Sequence, residues 1–152
     1  MHSDDVHLAA FEDLDSRTAY ALWQLRESVF VVEQACPYPE LDGRDLEAGT
    51  RHLWLEDDGV PVAYLRILED PTHTRIGRVL VAASHRRRGL ARVLMERALK
   101  YAGERDVVLD AQSYLAGWYA RFGFAACGPE FLEDGIAHIP MLRGPQSVRS
   151  RP

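Results

Sequence analysis

The stretch VLVAASHRRRGLARVLM at residues 79–95 restricts the possible folds more than any other part of the chain. An apolar run, RIGRVLV (75–81), reads as a strand and leads into three consecutive arginines. From Gly89 the apolar positions Leu90, Val93, Leu94, Ala98 and Tyr101 recur on one helical face, with Glu96 and Lys100 one turn apart on the other. A strand that turns abruptly into a helix leaves backbone N–H groups unpaired, with the positive end of the helix dipole behind them. Such a turn suits a phosphate. Gly89 lets the backbone approach a ligand, Ala91 keeps the first turn unobstructed, and Arg86, Arg87 and Arg88 add charge. Alone, the charge run would read as solvated surface. The preceding strand and the Gly-x-Ala opening favour the anion site. The loop lacks the Gly-Lys-Ser/Thr ending of a Walker motif and the first glycine of a dinucleotide fingerprint.

The chain has 152 residues, 47% of them apolar, enough for one domain with a genuine core. Its net charge of -5 speaks against general attraction to nucleic acid. The start, MHSDDVHLAAF, is acidic where a secretory signal needs cations, and no apolar run approaches the roughly 18 residues of a membrane span. A cytoplasmic protein with no membrane partner is expected. Cys36 and Cys127 give no disulfide framework or zinc spacing and read as packed thiols, and the six histidines show no metal-binding motif, so no metal is expected.

Along the chain, VHLAAF (6–11) reads as a first strand, followed by a helix capped at Asp15 or Ser16. Leu22, Leu25, Val29 and Val32 form its core stripe, while Arg26, Phe30 and Glu33 share an adjacent face. Residues 35–50, rich in Pro, Gly and Asp, read as a loop or short irregular helix. RHLWLE and VPVAYLRILE flank DDG as a hairpin. VVLDA (107–111) reads as a buried strand and SYLAGWYARFGF as a helix bearing Leu115, Trp118 and Phe122, closed by Gly123. Two more strands are expected at 125–132 and 137–142. The last nine residues, 144–152, read as a tail.

Arg86-Arg87-Arg88-Gly89-Leu90-Ala91 fits the Arg/Gln-x-x-Gly-x-Gly/Ala pyrophosphate loop of the GNAT superfamily of N-acetyltransferases, and WYARFGF (118–124) is similar to that superfamily's late helix. The chain resembles its ElaA-like branch over about residues 14–143, through YALWQLRESVFVVEQACPYPELDGRDL, RHLWL, IGRV, LDAQSYL and EDGIAHIPM. Ala137 departs from the pattern, which has proline before the histidine. The resemblance implies an α/β (α+β) GNAT acyl-CoA N-acyltransferase fold. A single domain over 1–143 would carry a mixed, mostly antiparallel sheet of about seven strands flanked by helices. The strands at 75–81 and 107–110 would splay apart around acetyl-CoA or coenzyme A, the acyl-donor cosubstrate. Val79, Leu80 and Val81 would pair with the pantetheine arm, and the loop 86–91 would hold the pyrophosphate.

Acyl transfer to an amine needs a base for the ammonium, a donor for the oxyanion and a proton for the departing thiolate. The match to the GNAT helix makes Tyr119 the general acid, against a packing role beside Trp118. A backbone N–H near Leu80 would face the oxyanion. Glu33 is the first choice of base and His52 the second, with an ion pair and a structural strand histidine as their other readings. Arg26, Arg66 and Arg78 occupy apolar stretches; with Phe30 and His52 they either shape the acceptor pocket or, for the arginines, pair with Glu33, Asp42 or Asp45. Gln112 either bonds the pantetheine, orders water or starts a helix. Cys36 precedes Pro37 without a base, which favours direct transfer in a ternary complex over a cysteinyl intermediate.

The activity expected is transfer of an acetyl group to a primary amine, on a small molecule or a protein. A non-catalytic acyl-CoA-binding or protein-interaction module is the alternative, and nucleic-acid binding a third reading that the net charge opposes. The loops at 33–50 and 125–137 would form the acceptor pocket, with the acids of ELDGRDLE suiting a cationic amine. Exposed late strands leave a homodimer open.

Overall fold

The computed structural model describes residues 5–35 and 39–144. At its centre, β2 (Arg51–Asp57) and β3 (Val60–Glu69) form the expected antiparallel hairpin. Asp58 and Gly59 both take positive φ, 51° and 77°, and so match the twist of the two strands. Side chains alternate between two cores: Leu53, Leu55, Ala63 and Leu65 enter one, Trp54 and Tyr64 the other. Both faces are therefore covered.

β1 (His7–Ala9) pairs with β2, and β4 (Thr74–Val81) with β3, all antiparallel. The first strand is shorter than the expected 6–11 because Phe11–Asp13 tightens into a 3₁₀ turn that stacks Phe11 on Trp23 at 6.4 Å. β5 (Val107–Gln112) lies parallel to β4. β8 (Ile136–Arg143) runs antiparallel to β5 and carries both β6 (Ala125–Ala126) and β7 (Phe131–Glu133) on its other side. Eight strands thus make one mixed sheet among the described residues. The expected strand at 125–132 is split, and Pro129, which has no N–H to give a ladder, lies in the break. Cys127, next to it, is exposed rather than packed; Cys36 lies outside the described residues.

Asp15 caps α1 (Ser16–Arg26), accepting a 2.7 Å bond from the Thr18 N–H. The helix continues as a π-helical segment, Glu27–Glu33, in which the Gln34 N–H reaches back to the Val29 carbonyl at 3.2 Å. The wider turn rotates later residues out of the stripe. Leu22 and Val29 are buried and Leu25 half-buried, but Val32 is 69% exposed and Arg26 is fully buried instead.

α2 (Leu90–Ala102) covers the opposite face with Leu90, Leu94, Met95, Ala98 and Ala102, while Tyr101 stays 36% exposed. The late helix is short. A 3₁₀ turn, Ser113–Leu115, leads into α3 (Ala116–Ala120), and Gly123 at φ 93° redirects the chain after it.

Leu94 is wholly buried between α2 and the sheet. Leu94→Ala is expected to destabilise the fold by about 2–5 kcal/mol through lost burial and a residual cavity, read from urea unfolding midpoints.

Candidate active site

β4 and β5 share only two residue pairs, Thr74 with Val107 and Arg75 with Val108. Beyond them the strands part. On the other side of β4, Arg66 pairs with Gly77 and Tyr64 with Leu80, so β4 holds one extra residue, and Arg78 within this bulge takes φ 54°. The Ala82 N–H donates to the Val62 carbonyl at 2.7 Å. By the alternation of an antiparallel ladder, the backbone groups of Leu80 then face β3, and those of Val79 and Val81 face the gap. Of the backbone N–H groups near Leu80, those of its neighbours are therefore the ones open to the gap. A cavity of about 540 Å³ fills the gap. Its wall includes Phe30, Glu33, Arg66, Arg78, Val79, Leu80, Val81, Arg86, Ala91, Gln112 and Tyr119 from the sequence expectations.

At one end of the cavity stands the loop before α2. Arg87 and Gly89 take φ of 66° and 75°, and no side chain caps the helix, so the first-turn N–H groups are open to an anion. Arg87, Arg88 and Gly89 are exposed, whereas Leu90 points into the core. His85 fastens the loop to the β2–β3 hairpin: its Nε2 lies 2.7 Å from Asp57 Oδ2 and its Nδ1 2.7 Å from Ser84 Oγ. Arg86 crosses the mouth of the gap. Its Nη1 and Nη2 donate to the two Glu33 carboxylate oxygens at 2.6 and 2.7 Å, and its Nε donates to the Val81 carbonyl at 3.0 Å. The Arg86 hydrogen bonds hold the Glu33 carboxyl below its usual range.

Tyr119 reaches the cavity from α3 with its ring against Trp118 and Phe124 at 4.9 and 6.2 Å. Burial pushes its phenol up to about 12, helped by the nearby Tyr114. It therefore keeps its proton throughout the neutral range.

A buried polar network lies on the α1 side of the sheet. Arg26 donates through Nε to Glu40 Oε2 at 2.6 Å and through Nη1 to Asp45 Oδ1 at 2.8 Å, with its guanidinium over the Trp23 ring at 4.9 Å. Arg66 bonds Asp42 at 2.6 and 2.9 Å and Asp45 at 3.1 Å; Arg78 bonds Glu40 at 2.8 Å. Two expectations change here. Arg26 and His52 do not line the cavity: both are fully buried, and His52 sits between the Tyr64 hydroxyl at 2.6 Å and the Asp45 carbonyl at 3.2 Å. Burial lowers the His52 pKa, which removes it as a base facing solvent or substrate. The acids of ELDGRDLE likewise serve arginines, Glu47 pairing with Arg44, so they do not form a free acidic patch. Glu33 pairs with Arg86 and not with Arg26. Tyr64 and Tyr114 were not anticipated, because strand or turn tyrosines give no spacing signal, and Glu40, expected only among the loop acids that suit an amine, serves Arg26 and Arg78 instead.

The acetyltransferase (GNAT) domain family matches residues 20–143. The chain belongs to the GNAT acetyltransferase family. Within it, the chain is similar to Escherichia coli ElaA, at 41% identity over 91% of this chain and 94% of that protein. A Mycobacterium tuberculosis UPF0039 protein is 49% identical over 93% of this chain and 94% of its own length. The solved structure of a Pseudomonas aeruginosa acyl-CoA N-acyltransferase superposes with a TM-score of 0.89 at 44% identity, covering 92% of this chain and 99% of that one. The GNAT fold is thus established, with the parted β4 and β5 at its centre.

The buried network of this GNAT domain makes its stability depend on pH. A bond from Arg66 lowers the Asp42 carboxyl despite some burial; burial raises Asp45, but Arg26 and Arg66 outweigh it and leave it low. Groups whose folded pKa is depressed stabilise the fold above the unfolded value of about 3.9, and that stabilisation drains away as pH falls through the lower folded values. Urea midpoints are expected to begin falling below about pH 6.5, where His52 protonates in the unfolded chain before the folded one, and to fall more steeply below about pH 4 as the carboxylates protonate. Asp42→Asn should start lower at neutral pH and fall less steeply in acid.

Proposed function

We propose that the protein transfers an acetyl group from acetyl-CoA to a primary amine, directly and within a ternary complex. The observation that carries this reading is the coincidence of three features in one cavity: the parted β4 and β5, the uncapped N-terminus of α2, and the Tyr119 phenol. The gap-facing backbone of Val79 and Val81 suits the amides of a pantetheine arm, which would extend the sheet as a strand does. Arg86 to Ala91 suit the pyrophosphate, through exposed N–H groups backed by arginine charge. Gln112 lines the same cavity and is available to the arm.

Attack of the amine nitrogen on the acyl carbon forms the C–N bond, and the C–S bond to the thiolate breaks. A gap-facing β4 N–H stabilises the negative charge that develops on the carbonyl oxygen. Tyr119 gives its proton to the departing sulfur and regains one from solvent, a role its high pKa and position support. Glu33, on the cavity wall near Phe30, takes the proton that the amine releases. Arg66 and Arg78 border the acceptor end, but their carboxylate partners assign most of their charge to fixing that wall.

Thermal midpoints with acetyl-CoA, CoA and ATP test the donor site. Both CoA species should raise the midpoint, ATP should not, and Gly89→Asp, which adds a negative charge to the loop, should abolish the shift. Release of free thiol on adding amines tests turnover; CoA binding with no amine-dependent release would assign the chain to non-catalytic acyl-CoA binding. Tyr119→Phe is expected to lower kcat about 10²-fold with little change in the KM for acetyl-CoA, measured by thiol release.

A further inference from the structure

Arg86 is engaged on all three sides in a way that conflicts with the donor site. Two of its nitrogens meet both oxygens of Glu33, and the third meets the carbonyl of Val81, a backbone group that faces the gap. The first arginine of the anion loop is thereby drawn to the π-helical end of α1, across the cleft a pantetheine arm would enter. The contact is not a core requirement. Glu33 and Arg86 are 43% and 41% exposed at the side chain, and Glu33 follows Val32, which the π turn leaves facing solvent. Among the described residues Glu33 bonds no other cation, so its carboxylate depends on Arg86 alone.

We propose that Arg86 is a shared cation, held by Glu33 and the Val81 carbonyl in the donor-free protein and transferred to the donor's pyrophosphate on binding. Its departure does two things at once. It frees the Val81 carbonyl for the arm, and it frees the Glu33 carboxylate to accept a proton from the acceptor amine. A single side-chain movement thus makes the base competent only when the acyl donor is present, and limits exposure of a charged, unpaired Glu33 to that state. Arg86 acts here as a positioning residue. This inference rests on the donor-site reading above, and its distinctive content is that Glu33 competes with the donor for Arg86.

Competition predicts a gain of affinity on removing the competitor, which a merely structural contact does not. Isothermal titration of CoA into the wild-type protein, Glu33→Ala, Arg86→Ala and the double variant measures it, with thermal midpoints in buffer confirming that each is folded. Glu33→Ala should bind CoA about two- to fivefold more tightly than wild type, the range expected for release of an exposed ion pair. Arg86→Ala should bind more weakly, and adding Glu33→Ala to it should give no further gain. Unchanged or weaker binding by Glu33→Ala, or a gain that persists without Arg86, overturns the shared-cation device while leaving the donor site intact. Failure of wild type to bind CoA overturns the donor site and the device with it.

Discussion

Two strands that begin as neighbours and then stop sharing hydrogen bonds set the terms for the rest of this molecule. After Arg75 and Val108 the sheet has a seam in which backbone donors and acceptors have no strand to meet. Unpaired backbone groups are tolerated where water or a ligand can reach them, so the seam must remain a cleft. The bulge at Arg78 keeps it so by adding a residue to β4 on the β3 side. A non-glycine residue at positive φ costs of order 1–3 kcal/mol and persists only where its surroundings require it. Here Glu40 supplies the requirement, accepting from Arg78 through both its carboxylate and its backbone carbonyl.

The same glutamate ties that bulge to the first helix. Glu40 bonds Arg26 as well as Arg78, and Asp45 bonds both Arg26 and Arg66, so α1, the 39–46 loop, β3 and β4 meet in one charge-balanced cluster. Removing one member of such a buried pair leaves a charge without compensation, at a typical cost of about 3–5 kcal/mol. The cluster demands particular partners, unlike a hydrophobic patch, which accepts many packings. It gives the loop beside the cleft one register, and that wall of the cavity inherits the rigidity.

Much of this was legible in the residues. The hairpin at 51–69 announced itself through alternation and DDG, and the anion loop through a strand, a charge run and a small residue at the head of an amphipathic helix. What periodicity could not reveal was the π turn, because a wider helical segment preserves the residue order while changing which side faces the sheet; Val32, within it, turns to solvent for that reason, whereas Arg26 precedes it and is buried with its carboxylate partners. Spacing was also silent on which carboxylate each arginine finds, since Arg26 and Arg66 meet acids 14 to 24 positions away. The strand expected at 125–132 breaks around Pro129, whose missing N–H was a signal already present in the sequence. The cavity itself needed the resemblance, because no local pattern states that two strands will diverge.

The brevity of α3 carries a further meaning. Five residues make barely more than one helical turn, too few to hold together without tertiary support. Tyr119 packs on Trp118 and Phe124, Trp118 in turn packs on Phe122, and all four belong to or lie against the main core. Those rings lie within five residues of Tyr119, so what fixes the group as a whole is the core behind it, built from α2, β5 and β8. Placement of the phenol and completion of the core become one cooperative event, and a chain that has formed its hairpin and its long helix but has not yet consolidated these rings would have one wall of the cleft and no phenol facing it.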